Sequence, residues 1–563
     1  MDILQPTKTW DVCVVGSGAG GGMAAKVLTE AGAEVVLLEA GPHWDVEKDG
    51  HMFTWNYDSP RRGRGHRGRP MGEFNACYGG WDIPGEPYTV GEGEKFRWFR
   101  GRMLGGRTNH WGRISLRFGP WDFQGRSRDG YGDDWPISYE DIAPYYDKVE
   151  RLVGLFGTNE GLENEPDGIF LPPPEPRCYE RLVQQAAQRV GVPCIPSRLS
   201  ILTRPHNGRL ACHYCGQCER GCTTHSNFST PSVLLPPALA TERLRIVTGA
   251  MAREVTTDAE GLASGVSYVE TATGREVRVR ARVVVLAASA CESARLLLNS
   301  RSTRHPNGLA NSSDAVGRYL TDTPGMRVRA HVPALLDSPP HNEDGVGGMH
   351  VYVPWWLDNR NLDFPRGYHF EIYGGRGMPS YGYGRNFHRL NGGGYGEALK
   401  EDYRRYYGSI VGFSGRGEMI PNPGCYCEID PTKLDRFGIP VLRFHWRWGE
   451  TELAQARHMH QAARTILEEL GAEPLEPMPT KADGFGISTG GAIIHEAGTT
   501  RMGASPRTSV LNRWCQAHDA KNVFVADAGP FVSNAHKNAT WTILALAWRA
   551  AEYIAAERGK GNL

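Results

Sequence analysis

The sequence predicts an α/β protein: a Rossmann-like nucleotide-binding domain, assembled from separated stretches of chain, that carries an antiparallel-sheet α+β domain. Three observations predict it. Residues 11–39, DVCVVGSGAGGGMAAKVLTEAGAEVVLLE, read as strand, glycine turn, helix, strand and acid. Residues 283–300, VVVLAASACESARLLLNS, repeat an apolar strand, a small-residue turn and a helix. Between Thr323 and Met478 the texture changes to alternating aromatic and polar residues with glycine-rich loops, the pattern of an antiparallel sheet.

In the first stretch Gly16, Gly18 and Gly21 stand at G-x-G-x-x-G spacing after the apolar run Val12, Val14, Val15. Gly16 permits the tight turn, Gly18 lets a pyrophosphate approach the backbone, and Gly21 lets the helix lie close to the sheet. Ser17, Ala19 and Gly20 complete the loop that opens the helix, whose N–H groups face the phosphates. Glu39, followed by Ala40, comes 18 residues after the last glycine, where a carboxylate accepts hydrogen bonds from ribose hydroxyls. The stretch therefore reads as an adenine-dinucleotide site, with NAD and FAD both open at this point.

A chain of 563 residues has the length of two to four domains. Lys+Arg 63 balance Asp+Glu 63, so no global field favours nucleic acid or an anionic membrane. No charged, apolar and small-residue leader precedes the first strand, and no apolar run reaches membrane-spanning length, so a cytoplasmic protein without a membrane span is expected. Twelve cysteines are few for a disulfide scaffold of this size, and four of them are bunched together.

The segment 42–99 has weak periodicity. It includes RRGRGHRGRP (Arg61–Pro70), with five arginines in nine positions. An RNA-binding arm, a contact for an acidic partner and a solvated loop are the readings of such a run. Few aromatics interleave with these arginines, which favours the loop.

RGRMLGGRTNHWGR (Arg100–Arg113) resembles the flavin-contacting loop of the glucose-methanol-choline (GMC) family of flavin oxidoreductases. The resemblance makes the dinucleotide FAD and implies that Arg102, Gly105, Gly106 and Asn109 lie against it, the glycines because a Cβ would clash. The T-N-H-W run also resembles the pyranose oxidase branch, in which a histidine at the place of His110 is bonded covalently to the flavin; Arg107 and Asn109 depart from that branch. Covalent attachment and simple packing of His110 are both open.

Cys212, Cys215, Cys218 and Cys222, in ACHYCGQCERGC, follow the C-x₂-C-x₂-C-x₃-C spacing of bacterial ferredoxins. An iron–sulfur cluster, 4Fe-4S or 3Fe-4S, is the expectation; zinc suits four thiolates too, and some oxidases of the family carry such turns without metal. No proline follows the fourth cysteine, unlike the ferredoxin pattern, which makes Cys222 the weakest ligand. Family dehydrogenases such as bacterial sugar dehydrogenase large subunits place a cluster hereabouts. That resemblance implies a small accessory subunit and a cytochrome-type electron acceptor, and it opens a periplasmic alternative through export with the partner.

Strands around Ile246–Val247 and Val266–Val269, and residues 283–300, resemble the family's closure of the FAD site, with Ala252 near the adenine by motif position. The aromatic segment contains VPWW (Val353–Trp356), a glycine-rich loop from Gly374 to Gly396, and LRFHWRWGE (Leu442–Glu450), where Phe444, Trp446 and Trp448 alternate as on a strand. Aromatics on a polar concave surface suit sugar rings.

The C-terminal stretches IHEAGTTRMGASP (Ile494–Pro506) and HDAKNVFVADAGPFVSNAHKNATWTILALAWRAAEYI (His518–Ile554) resemble the family's signature end. His495 takes the place of the catalytic histidine, and Asn538 follows by 43 residues where the family has a second His or Asn. Asp527 falls where the family contacts the flavin ribityl chain, and the helix from Thr540 points its N-terminus at the cofactor; His536 is read as a loop residue.

Alcohol oxidation needs a base for the hydroxyl proton and an acceptor for hydride, which His495 and FAD would supply. The reading is FAD-dependent oxidation of a sugar hydroxyl, C3 of glucosides first. A sterol or long-chain alcohol enzyme and a dinucleotide-binding regulatory or RNA-contacting module are the alternatives. The expected segments are 1–120, 206–322 and 479–563 for the FAD domain, 121–205 for a peripheral or substrate-side part and 323–478 for the substrate domain.

Overall fold

The computed structural model describes residues 8–563 except 56, 64, 67–70, 74, 338–344, 355–361 and 376–393. Its nucleotide-binding part is a seven-stranded sheet. Six strands run in the order Leu244–Thr248, Val35–Glu39, Thr9–Val15, Glu276–Leu286, Ala263–Glu270, Ala250–Thr257, and Val523–Val525 pairs with Glu276–Leu286. The long strand Glu276–Leu286 joins two kinds of sheet. Its first half pairs antiparallel with Ala263–Glu270, and its second half lies parallel to Thr9–Val15 and Val523–Val525. The parallel strands are buried, so they read as unbroken runs such as Val35–Leu38 rather than as alternation. Helices Ala19–Glu30 and Thr540–Gly559 pack on one another, bringing the two ends of the chain together at one side of this sheet.

The second sheet has six antiparallel strands, in the order Glu473–Pro474, Gly325–His331, Ile410–Gly417, Tyr368–Tyr373, Val351–Val353, Ile195–Pro196. Strand period decides its two faces. Val328, Val411, Phe413, Phe370 and Ile372 join Val183, Ala463 and Ile466 of helices Cys178–Arg189 and Glu450–Glu469 in one apolar cluster. His369, Glu371, Ser414 and Arg416 are the alternate residues and belong to the other face.

Ile195–Pro196 and Cys178–Arg189, in the segment read as peripheral or substrate-side, join the second sheet and its helical layer. The strand at Leu442 is real but ends at His445, and it pairs with Tyr426–Leu434 and Thr89–Val90 in a separate three-stranded sheet. Phe444 stacks on Phe96 at 4.5 Å and Trp446 and Trp448 pack against the nucleotide-domain core, because these aromatics find apolar neighbours there. Trp355, Trp356, most of the loop from Gly374 to Gly396, and Arg64 and Arg67–Pro70 lie outside the described residues. Among the described residues no helix is long and apolar enough to cross a membrane.

Candidate active site

One cavity runs from the glycine turn at the N-terminus of the first helix to the start of the last helix. Gly16, Ser17, Gly18, Ala19 and Gly20 line one end with Glu39 and Ala40; His495, Asn538 and Thr540 line it too. Arg102, Gly106, His110, Ala252 and Asp527 complete the set of sequence-named residues on its wall. Gly21, Gly105 and Asn109 are not on the wall and shape it from behind. A Cβ on Gly21 would sit 1.9 Å from the Gly16 carbonyl oxygen. The Asn109 amide donates to the Leu104 carbonyl at 2.8 Å, fixing the loop that presents Gly106.

The turn is built tightly against protein and open only where a ligand would come. A Cβ on Gly20 would lie 1.5 Å from the Ala526 carbonyl oxygen, and one on Gly16, at φ +97°, 2.4 Å from that of Ala287. A Cβ on Gly18 would meet no protein atom within 4 Å. Glu39 does more than wait for a ribose. Its Oε2 accepts from Ser17 Oγ at 2.5 Å and its Oε1 from Gly41 N at 2.8 Å, while Ser17 Oγ accepts from Gly105 N at 2.8 Å. Burial pushes the Glu39 carboxyl up, against the pull of the Ser17 and Gly41 donors. Arg102 is committed to Glu86 and Glu292, so it fixes the loop geometry from within an ion-pair network. Asp527 accepts from Ser293 Oγ at 2.6 Å and from Gly529 N at 2.8 Å, and burial raises it to about 6.

At the other end His495 and Asn538 meet. Asn538 Nδ2 lies 3.3 Å from His495 Nε2, and Thr323 Oγ1 lies 3.0 Å from His495 Nδ1. With Nδ1–H donating to the Thr323 hydroxyl, Nε2 carries a lone pair turned to Asn538. Burial, helped by Arg416, lowers His495 to about 3 while Glu371 opposes the shift, so the imidazole is neutral at ordinary pH. Asp322 Oδ1 accepts from His495 N at 3.0 Å, and Asn534 Nδ2 donates to the His495 carbonyl at 3.0 Å, which locks the backbone of the histidine.

Sequence reasoning missed four residues around this pair: Thr323, Asp322, Glu371 and Arg416. Glu371 Oε1 accepts from Asn538 Nδ2 at 3.3 Å and its Oε2 from Arg416 at 2.7 Å. The polar alternation His369, Glu371 within the apolar run Tyr368, Phe370, Ile372 is the signal that marks the first of the strands involved. Arg107, met in the sequence as a departure, pairs with Glu496 at 2.7 Å beside the cavity. His536 lies against His369, 3.3 Å between their Nδ1 atoms, and stays a structural residue of the loop.

Two observations fit an FAD in the cavity. The Gly18 approach is clear for a pyrophosphate, and two buried polar atoms aimed at this region, His110 Nε2 and Asn538 Oδ1, have no hydrogen-bond partner among the described residues. Buried polar atoms of this kind are costly unless a ligand or water meets them.

No iron–sulfur cluster is shown at the four cysteines. Among the described residues no group of three or more His, Cys, Asp or Glu side chains converges closely enough to hold a metal ion. Cys212 and Cys215 accept from the backbone N–H groups of Tyr214 and Gln217, Cys218 packs in an apolar cluster with Leu199 and Val346, and Cys222 Sγ contacts Thr224 Oγ1 at 3.3 Å. No step is derived through a cluster.

Comparison with known proteins agrees with this architecture. Residues 18–325 and 421–547 match the N-terminal and C-terminal models of the GMC oxidoreductases. The chain is 30% identical over 562 residues to 2-methyl-1,2-propanediol dehydrogenase of Mycolicibacterium austroafricanum, covering 97% of this chain and 95% of that one. It is 28% identical to the fructose dehydrogenase large subunit of Gluconobacter japonicus, covering 99% of each. In fold it is similar to a pyridoxine 4-oxidase (TM-score 0.65, 18% identity, 97% of this chain and 99% of that one). It is also similar to a formate oxidase of Aspergillus oryzae (TM-score 0.66, 15% identity, 100% of each). The chain belongs to the GMC oxidoreductase family, whose members are FAD-dependent enzymes acting on CH–OH groups.

Proposed function

We propose that the chain oxidises a hydroxyl of a small polyhydroxylated molecule, a sugar or glycoside, with C3 of a glucoside the first position to test. The observation that carries the reading is the His495–Asn538 pair at 3.3 Å on the wall of the cavity, with Glu371 of the six-stranded sheet 3.3 Å from the same amide. His495 Nε2 takes the hydroxyl proton, and Asn538 orients the substrate oxygen as it gains negative charge. FAD, held by the Gly16–Gly21 turn, the Gly105–Gly106 loop and the N-terminus of the helix Thr540–Gly559, supplies the acceptor for the hydride leaving carbon. Thr323 orients the imidazole through Nδ1, and Asp322 and Asn534 hold its backbone.

The polar residues Glu371, Ser414 and Arg416 on that sheet face oppose the sterol or long-chain alcohol alternative, which needs an apolar tunnel. Relatives described as a fructose dehydrogenase large subunit and a gluconate 2-dehydrogenase flavoprotein support a sugar-like substrate, and the first supports a partner chain that receives the electrons. The test is anaerobic bleaching of the flavin band near ~450 nm by glucosides. His495→Ala should keep the bound flavin and lose the bleaching; full bleaching by that variant would end the assignment of the base.

A further inference from the structure

The polar face of the six-stranded sheet has an ordered layout. His369 and Arg416 are cross-strand partners, as are Glu371 and Ser414, on the neighbouring strands Tyr368–Tyr373 and Ile410–Gly417. Arg327 of the next strand stands opposite Ser414. This face reaches the catalytic pair at one point. Glu371 Oε1 is 3.3 Å from Asn538 Nδ2, the same amide that is 3.3 Å from His495 Nε2. Glu371 Oε1 and His495 Nε2 are thus no farther apart than those two contacts laid end to end.

We propose that Glu371 is a specificity-determining residue that binds the hydroxyl next to the one being oxidised, so that the site selects vicinal diols over alcohols lacking the second hydroxyl. The inference rests on the oxidation reading and adds the substrate class to it. A hydroxyl giving its proton to His495 Nε2 has its neighbour on the adjacent carbon at about one hydrogen-bond length, ~2.8 Å, and a further bond of that kind reaches Glu371 Oε1.

The carboxylate is equipped for the task. Arg416 takes its other oxygen at 2.7 Å and fixes its orientation. Burial would raise its pKa, but Arg416 outweighs burial and holds the Glu371 carboxyl at about 2, so it stays an ionised acceptor with no proton of its own to donate. Its side chain is 14% exposed, enough for a substrate to touch it and too little for water to solvate it fully. An alcohol without the second hydroxyl would exclude water from Oε1 and offer no hydrogen bond in its place, leaving that oxygen only its 3.3 Å contact with Asn538. Sites built to hydrogen-bond a hydroxyl reject analogues lacking it far more strongly than apolar pockets reject a misfit methyl group.

The experiment uses the FAD-loaded full chain and follows anaerobic flavin reduction. Substrate pairs differ by one hydroxyl: cyclohexane-1,2-diol against cyclohexanol, and 1,2-propanediol against 1-propanol. The expected result is that kcat/KM favours the member with the adjacent hydroxyl by ~100-fold or more. Glu371→Gln, which can still accept one hydrogen bond, should retain flavin and shrink the preference to a few fold, and Glu371→Leu should abolish it. Equal bleaching by both members of every pair would overturn this inference and leave the oxidation reading intact. An unchanged preference in a folded, flavin-bearing Glu371→Leu would overturn it as well. Bleaching by none of these compounds would overturn the oxidation reading and take this inference with it. Because the substrate pairs are compared in the unaltered protein first, a variant that fails to fold does not remove the test.

Discussion

Thr323 Oγ1 stands 3.0 Å from Nδ1 of His495, leaving Nε2 to Asn538. The two residues are 172 positions apart in the chain, so the orientation of the His495 ring rests on a contact between distant segments. Thr323→Val keeps the volume and removes the hydroxyl. The ring then loses its contact at Nδ1, and flavin reduction should slow by about 10-fold or more, as loss of a positioned general base allows. Thr323→Ser should restore most of the rate. A valine variant as fast as the parent in stopped-flow reduction would show that the hydroxyl does not hold the ring.

Gly18 and Gly20 are two residues apart and should fail in different ways. Gly20→Ala forces a Cβ to within 1.5 Å of the Ala526 carbonyl oxygen as the backbone stands, so the strand carrying Val523–Val525 must shift. Its apoprotein should melt well below the parent apoprotein, with a cost of ~1–3 kcal/mol typical of overpacking. Gly18→Ala meets no protein atom within 4 Å, so its apoprotein should melt near the parent while its affinity for FAD falls. Thermal melts with and without added FAD distinguish the two.

Ser17 ties three parts of the cavity together: its hydroxyl donates to Glu39 and accepts from Gly105 N. Ser17→Ala leaves Gly105 N without its partner and Glu39 with one donor fewer, a loss of ~1–3 kcal/mol for a buried group left unpaired. The expected outcome is faster release of FAD on gel filtration with the fold retained. Retention equal to the parent would mean that the ligand, and not this bridge, holds the two loops together.

The parts of the site that are local in sequence were legible in it. The turn from Gly16 to Gly21 and the acid at Glu39 lie within one strand–helix–strand unit, where spacing and geometry are the same statement. Motif position named His495 and Asn538, which lie 3.3 Å apart; their roles in the reaction are part of the proposal. Glu371, Arg416, Thr323 and Asp322 were not legible, because their roles arise from sheet pairing and from the meeting of distant segments; Glu371 reaches Asn538 across 167 positions. The cysteine spacing names four thiols that share one short segment, and a bound cluster is not shown there. The aromatics at Phe444 and Trp446 show the same limit, since alternation identified a strand and could not identify the sheet it joins.

Asp322 gives the apoprotein a stability that depends on pH. Its Oδ1 accepts from His495 N, its Oδ2 is buried without a hydrogen-bond partner, and burial, reinforced by the charge of Glu496, raises its carboxyl from 3.8 to about 7. The folded state therefore holds a proton that the unfolded chain has already released between those two values. The corresponding stability is fully present below 3.8 and is lost as pH rises through about 7, at ~1.4 kcal/mol per pH unit within the window. Asp527, raised to about 6, adds a shallower contribution of the same sign. Melting of the apoprotein should thus fall between pH 5 and 7 relative to a variant that cannot ionise at this position. Asp322→Asn keeps the acceptor for His495 N and replaces the acid proton by an amide, so its melting temperature should vary less with pH over this range and should exceed the parent's at pH 8. Parallel melting curves for parent and variant from pH 5 to 8 would show that Asp322 titrates at its ordinary value and that the carboxyl beside the base is ionised in the folded protein.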